Sequence, residues 1–198
     1  MPETATQQAT YADLAAVPSH MVAEIIHGSL VTHPRPATGH GRASFRLANV
    51  LGGPFDIGAG GPGGWVFIAE PELHLNGHVV VPDIAGWRSD RFLARSTTAW
   101  ISEAPDWLCE VLSPSTANYD RGPKRQIYAD AGVSYIWLIN PVEKNLEAFQ
   151  LVAGKWLLQA LIAEAGEVRI PPFDAAPFSL GLLWPFDEPI NTGTPPQT

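Results

Sequence analysis

Hydrophobic positions recur in short runs along this chain, and their period switches between that of strands and that of helices. Residues 22–31 are largely apolar around His27-Gly28 and predict two short strands joined by a turn. Over 40–51, Ala43, Leu47, Val50 and Leu51 recur at helical spacing, predicting an amphipathic helix that Gly52 ends. Residues 65–69, 73–75 and 79–86 predict strands, the last two joined by an Asn76-Gly77 hairpin turn. Residues 107–112 are apolar except for Glu110 and predict a central strand. Residues 120–131 predict a helix, with Gly122-Pro123 in its first turn and Gly132 as its left-handed cap. Three further strands are predicted at 134–139, 146–151 and 156–161, with turns at Asn140-Pro141 and Ala153-Gly154. A short helix over 11–17 closes at Pro18, and the Gly/Pro-rich stretch 52–64 predicts a long loop. This order predicts an α/β (α+β) fold, a mixed central sheet with helices packed on it.

No repeat or linker breaks the pattern between 11 and 186, so a single domain is expected there. A flexible lead is expected over 1–10 and a flexible tail over 187–198. With 198 residues, 45% of them hydrophobic and seven Trp, the chain can bury a sizeable core. It has no run of about 18 apolar residues, so no transmembrane helix is expected. The N-terminus lacks the apolar segment of a secretory signal, and the lone Cys109 excludes an intramolecular disulfide. A cytoplasmic location is expected. The net charge of −8 argues against a basic nucleic-acid coat. Local basic groups remain: Arg35, Arg42 and Arg46, then Arg121, Lys124 and Arg125. Each is either an ordinary solvated face or a DNA contact.

Two carboxylates interrupt the apolar pattern. Asp83 ends the run Val79-Val80-Val81-Pro82, and Glu110 lies between Cys109 and Val111. A buried carboxylate is costly unless it is paired, hydrogen-bonded or bound to metal. Strand alternation puts Asp83 on the face of Val81 and Ala85, and Glu110 on that of Leu108 and Leu112. If the two strands adjoin, both acids converge and, with a backbone carbonyl, form a hard oxygen site suited to Mg²⁺. Such an ion polarises a phosphoryl oxygen and lowers the pKa of an attacking water. Lys124, near the start of the predicted helix, can orient that water or stabilise negative charge. Plainer readings stand beside this one. Asp83 after Pro82 suits a turn, Glu110 suits a structural ion pair, and Lys124 suits a helix surface. Together, in this order, the three suggest a metal-dependent hydrolytic site.

Several segments carry a resemblance. They are Pro82-Asp83, Glu110-Val111-Leu112-Ser113-Pro114-Ser115, Asp120-Arg121-Gly122-Pro123-Lys124, Tyr128-Ala129-Asp130-Ala131-Gly132-Val133 and Tyr135-Ile136-Trp137-Leu138-Ile139-Asn140-Pro141. In this order and spacing they resemble the Uma-type putative restriction endonucleases of the PD-(D/E)xK nuclease superfamily. The likeness extends over roughly 12–183 and includes the opening segment Ala23-Glu24-Ile25-Ile26-His27-Gly28-Ser29-Leu30. It implies a restriction-endonuclease-like fold in which Asp83, Glu110 and the Val111 carbonyl hold the metal. The superfamily's usual lysine lies two residues after the Glu, and here that position is Leu112. The resemblance implies that Lys124, from the following helix, takes its role.

The resemblance also marks Glu24, as a third ligand or a base one step from the metal; its plainer reading is a solvated strand residue. His40 either caps the helix that begins there or lies near substrate. Glu70 and Glu72 read as exposed edge residues. His33, His74 and His78 lack zinc-ligand spacing with any cysteine cluster. Trp107, Trp137 and Trp156 read as core, whereas Trp87 and Trp100 read as packing residues or as platforms for bases or a dimer. Gly58 to Gly64 lacks the Gly-Lys-Ser/Thr ending of a phosphate cradle, and no Gly-x-Ser-x-Gly elbow is present, so no nucleotide cofactor or serine chemistry is expected.

The expectation is therefore a Mg²⁺-dependent DNA endonuclease, with Mn²⁺ able to substitute. Its substrate is expected to be double-stranded DNA, and cutting both strands suggests a homodimer. Arg42, Arg46, Arg121 and Arg125 are its candidate DNA contacts. The alternative is a catalytically inactive nucleic-acid-binding or regulatory protein that retains the nuclease fold.

Overall fold

The structure, a computed structural model, describes residues 8–92, 97 and 99–184. Residues 1–7 of the expected lead and the whole expected tail over 187–198 lie outside them. Helix α1 (Tyr11–Ala15) starts at a capping box in which the Thr10 and Asp13 side chains each meet the other's backbone N–H. Strands β1 (Met21–Ile26) and β2 (Ser29–Pro34) follow as a hairpin, its turn made by His27 and Gly28 at φ 49° and 74°. Helix α2 (Thr38–Leu51) buries Ala43, Leu47 and Leu51. Gly52 does not end it. The chain continues through a π-helical turn, Gly52–Ile57, until Gly58 takes up φ 78°. The first half of the expected loop is therefore helical, and it buries Phe55.

Strand β3 (Trp65–Ala69) precedes the hairpin of β4 (Leu73–Leu75) and β5 (His78–Val80). The strand expected over 79–86 is in fact two, because β6 (Ile84–Arg88) belongs to a different sheet from β5. Pro82 lies at the break, and it has no N–H to give to a ladder. Strand β7 (Trp107–Val111) leads to α3 (Ala117–Arg121) and α4 (Pro123–Asp130). The sequence predicts one helix here. Pro123 disfavours helical geometry in the residue before it, and Gly122 accordingly sits at φ −107°, ψ −106° between two short helices. Strands β8 (Tyr135–Asn140), β9 (Asn145–Val152) and β10 (Lys155–Ala163) form a meander. The short pair β11 (Glu167–Val168) and β12 (Phe178–Ser179) and a 3₁₀ turn, Leu180–Leu183, complete the described chain.

The main sheet has six strands in the order β10-β9-β8-β7-β6-β3, with β7 central as its apolar run predicts. Only the β7–β8 pair is parallel, and α3 and α4 form the crossover it requires. The second sheet has the order β2-β1-β5-β4. Alternation along β7 divides the core in two. Trp107, Cys109 and Val111 join Leu47, Leu51 and Trp137 on one face. Leu108 and Leu112 join Ile127 and Tyr128 of α4, with Leu75 and Val80 of the smaller sheet, on the other. This is a mixed α+β fold, as expected. Trp87 proves to be core, its indole N–H donating to the Glu103 carbonyl at 3.0 Å. Trp100 is exposed and stacks on His74. Among the described residues no helix is long and apolar enough to cross a membrane.

Candidate active site

The split between β5 and β6 places Asp83 at the junction of the two sheets. Ile84 pairs with Cys109, so Asp83 and Glu110 are the next residues along the two strands. Asp83 Oδ2 accepts the Val111 backbone N–H at 2.7 Å, and Oδ1 lies 3.2 Å from His40 Nε2. Helix α2 begins at Thr38 with Ala37 at its cap position, so His40 is inside the first turn and does not cap it. Its imidazole instead reaches the Asp83 carboxylate.

Glu110 is buried in β7, and its Oε1 meets two groups from one face of α4. Lys124 Nζ stands at 2.9 Å, and the Tyr128 hydroxyl donates at 2.6 Å. Residues four apart share a helix face, so the fold of α4 aims both at β7. Lys124 is only 3% exposed. Its ammonium also lies 3.0 Å from Glu24 Oε1 and 3.3 Å from Asp120 Oδ1. Glu24 comes from β1, accepts the Val81 N–H at 2.8 Å on Oε1, and has His33 Nε2 3.7 Å from Oε2. The structure thus brings together Asp83, Glu110, Lys124, Glu24 and His40 from separate elements. It adds Asp120, Tyr128 and His33, to which the sequence reading gives no role. The signal for two of these is in the sequence: Asp120, Lys124 and Tyr128 recur every four residues, although Gly122 interrupts the helix between the first two.

Burial and proximity set the charges here. Burial opposes ionisation of Glu24, but Lys124, His33 and the Val81 N–H outweigh it and hold the pKa at about 2. Burial also opposes the Lys124 charge, and the Glu110 and Glu24 carboxylates reverse this, so the ammonium titrates well above its ordinary value. Glu110 moves upward: burial dominates, Lys124 pulls against it, and Asp120, Asp83 and Glu24 push with it. Asp120 is raised chiefly by burial, against the pull of Lys124. Three carboxylates, Glu24, Glu110 and Asp120, share one lysine, and Asp83 is held apart from it by His40.

Most of these groups, though not Glu24 or Tyr128, line an open cleft of about 590 Å³. Asp83, Glu110, Val111, Asp120 and Lys124 line it on one side, while Met21, Val22, Pro34 and Pro36 supply an apolar wall. Ser113, whose hydroxyl bonds those of Ser115 and Thr116 at 2.9 and 3.0 Å, lines it with them. Glu70 and Glu72 line it too. Glu70 is exposed as expected, but Glu72 is largely covered and binds His74 Nε2 at 2.8 Å.

Among the described residues no three His, Cys, Asp or Glu side chains form a ready metal cage. The donor chemistry nevertheless fits Mg²⁺, which is ordinarily held by one or two carboxylates with water completing its shell. Asp83 and Glu110 supply those carboxylates from adjacent positions, beside the Val111 backbone.

The basic candidates divide. Arg42 is exposed on α2, 5.9 Å from the centre of the Phe45 ring, and Arg46 is half-buried on the same helix. Arg121 is bound to Glu147 Oε1 at 2.6 Å, and Arg125 lies 4.2 Å over the Phe149 ring. Both of the latter are engaged with β9.

Comparison with known proteins agrees with this architecture. A solved structure described as a putative nuclease belonging to DUF820 from Anabaena variabilis superposes with a TM-score of 0.72 at 20% identity. The match covers 89% of this chain and 97% of that one, and it shows a shared fold. No curated protein matches the chain. The family model Uma2, described as putative restriction endonuclease, matches residues 9–182. That span holds every strand and helix described above, and the chain belongs to the Uma2 family.

Proposed function

We propose that this chain is a metal-dependent DNA endonuclease that hydrolyses phosphodiester bonds at a PD-(D/E)xK-like site. One observation carries the reading: Lys124 is buried among Glu24, Glu110 and Asp120, and it lines an open cleft together with Asp83. Membership of a restriction-endonuclease family supports it. Asp83, Glu110 and the Val111 carbonyl would hold Mg²⁺ or Mn²⁺. When bound, the ion supplies a low-pKa water and polarises a phosphoryl oxygen.

The chain's own residues do the positioning. Asp83 is fixed by the Val111 N–H on one oxygen and by His40 on the other. Glu110 is fixed by Tyr128. Lys124 brings a permanent positive charge to the point where negative charge grows on the phosphoryl oxygens, and Glu24 holds it there. The substrate of this reading is double-stranded DNA, and cutting both strands calls for two copies of the chain.

A second reading draws on the same cluster. Lys124 pairs with three carboxylates at once, which suits a protein that keeps the nuclease fold only to bind nucleic acid or to regulate. Cleavage of supercoiled and linear DNA with Mg²⁺ or Mn²⁺ separates the two. The nuclease reading expects metal-dependent nicking that chelation, Asp83→Ala and Glu110→Ala each abolish in folded protein. Equal activity in all three proteins overturns it. So does calorimetry that finds no Mn²⁺ bound by the parent chain.

A further inference from the structure

Strand β10 is the outer strand of the six-stranded sheet, and among the described residues only β9 pairs with it. It is nine residues long, about 30 Å, and has no proline; its one charged residue, Lys155, stands at its start. Edge strands are ordinarily kept short, or interrupted by charge or proline, because their open N–H and C=O groups invite another strand. Here the edge also presents Leu157, Leu158 and Leu161, which are 54%, 52% and 63% exposed.

A β-bulge at Gln159 decides what this edge can bind. Leu158 lies opposite Phe149 and Leu161 opposite Glu147, so the two leucines share one face of the sheet although they are three residues apart. Leu157, opposite Gln150, and Ile162, opposite Leu146, share the other face. Without the bulge, positions three apart would point to opposite faces. The strand thereby becomes complementary to itself. A second β10, laid antiparallel about an axis between Gln159 and Ala160, sets Leu158 against Leu161 of the second copy and Leu157 against Ile162. Residues directly opposite share a face, so each apolar pair meets on one side, and the symmetry makes every pair twice.

We propose that β10 is a homodimer surface: it pairs antiparallel with β10 of a second copy, joining two six-stranded sheets into one. This assigns a place to the two copies that double-strand cutting calls for, but it stands on the edge alone and needs neither DNA nor metal.

Sedimentation of the parent chain without DNA tests it. A dimer is expected over the micromolar range, and Leu158→Asp with Leu161→Asp gives a monomer with an unchanged near-ultraviolet spectrum. Leu158→Cys mixed with Leu161→Cys cross-links on oxidation, and neither does so alone. A monomeric parent overturns the proposal, as does a dimer indifferent to the aspartates or a mixture that does not cross-link. None of these results bears on whether the chain cleaves DNA.

Discussion

Lys124 Nζ stands 2.9 Å from Glu110 Oε1, although one residue comes from helix α4 and the other from strand β7. The residue two positions after Glu110 is Leu112, which is buried in the core. The helix thus delivers the ammonium that the strand does not. Lys124→Met would leave Glu24, Glu110 and Asp120 facing one another without their shared cation. Breaking a buried pair in this way costs about 3–5 kcal/mol. Urea denaturation should show a loss of that size. Adding Glu110→Gln should recover part of it, because one of the stranded charges is then gone.

On the nuclease reading Asp83 does two jobs that substitution can separate. Asp83→Ala removes the acceptor of the Val111 N–H and should cost about 1–3 kcal/mol in thermal or chemical denaturation. Asp83→Asn keeps an acceptor oxygen and should stay close to the parent in stability. Both should lose Mn²⁺ binding by calorimetry on the nuclease reading. Retained binding in Asp83→Asn would remove this carboxylate from the ligand set.

Much of this arrangement can be read in the sequence, and the parts that cannot have physical reasons. The hairpins at His27-Gly28 and Asn76-Gly77, and the central position of β7, follow from local turn chemistry and from unbroken apolarity. The convergence of Asp83 and Glu110 follows from two apolar runs each carrying an acid. The division of residues 79–86 between two sheets is hidden, because Val79, Val80 and Ile84 are equally suited to either. Only Pro82 marks the seam. The role of His33 depends on which elements meet in space, and local pattern does not encode that. The π-helical turn defies its composition: Gly52, Gly53 and Pro54 read as loop, yet the burial of Phe55 holds the chain in a helical path.

Glu24 gives a pH signature. Its folded pKa of about 2 lies below the ordinary 4.5, so its contribution to stability is complete above pH 4.5 and is lost as the pH falls toward 2. The stability difference between the parent and Glu24→Gln should therefore be about 3 kcal/mol at pH 6. It should shrink steadily in denaturation series carried from pH 5 down to the acid limit of folding. A difference that grows on acidification would contradict this assignment.

The arginines should separate by assay. Arg42 is exposed, whereas Arg121 is engaged by Glu147. Arg42→Ala should weaken DNA binding by fluorescence anisotropy and lower the salt slope by about 1. Arg121→Ala should leave that slope unchanged and cost about 0.5–1 kcal/mol of stability, the ordinary range for a partly exposed ion pair.

Because Pro82 and Asp83 lie where the chain passes from one sheet to the other, no single sheet holds all the acids. Glu24 belongs to the four-stranded sheet, Glu110 to the six-stranded one, and Asp83 to the passage between them. A chain with only the six-stranded sheet formed keeps Glu110 with Lys124 and Asp120 but lacks Glu24. On the nuclease reading, a molecule whose two sheets have parted therefore carries an incomplete site.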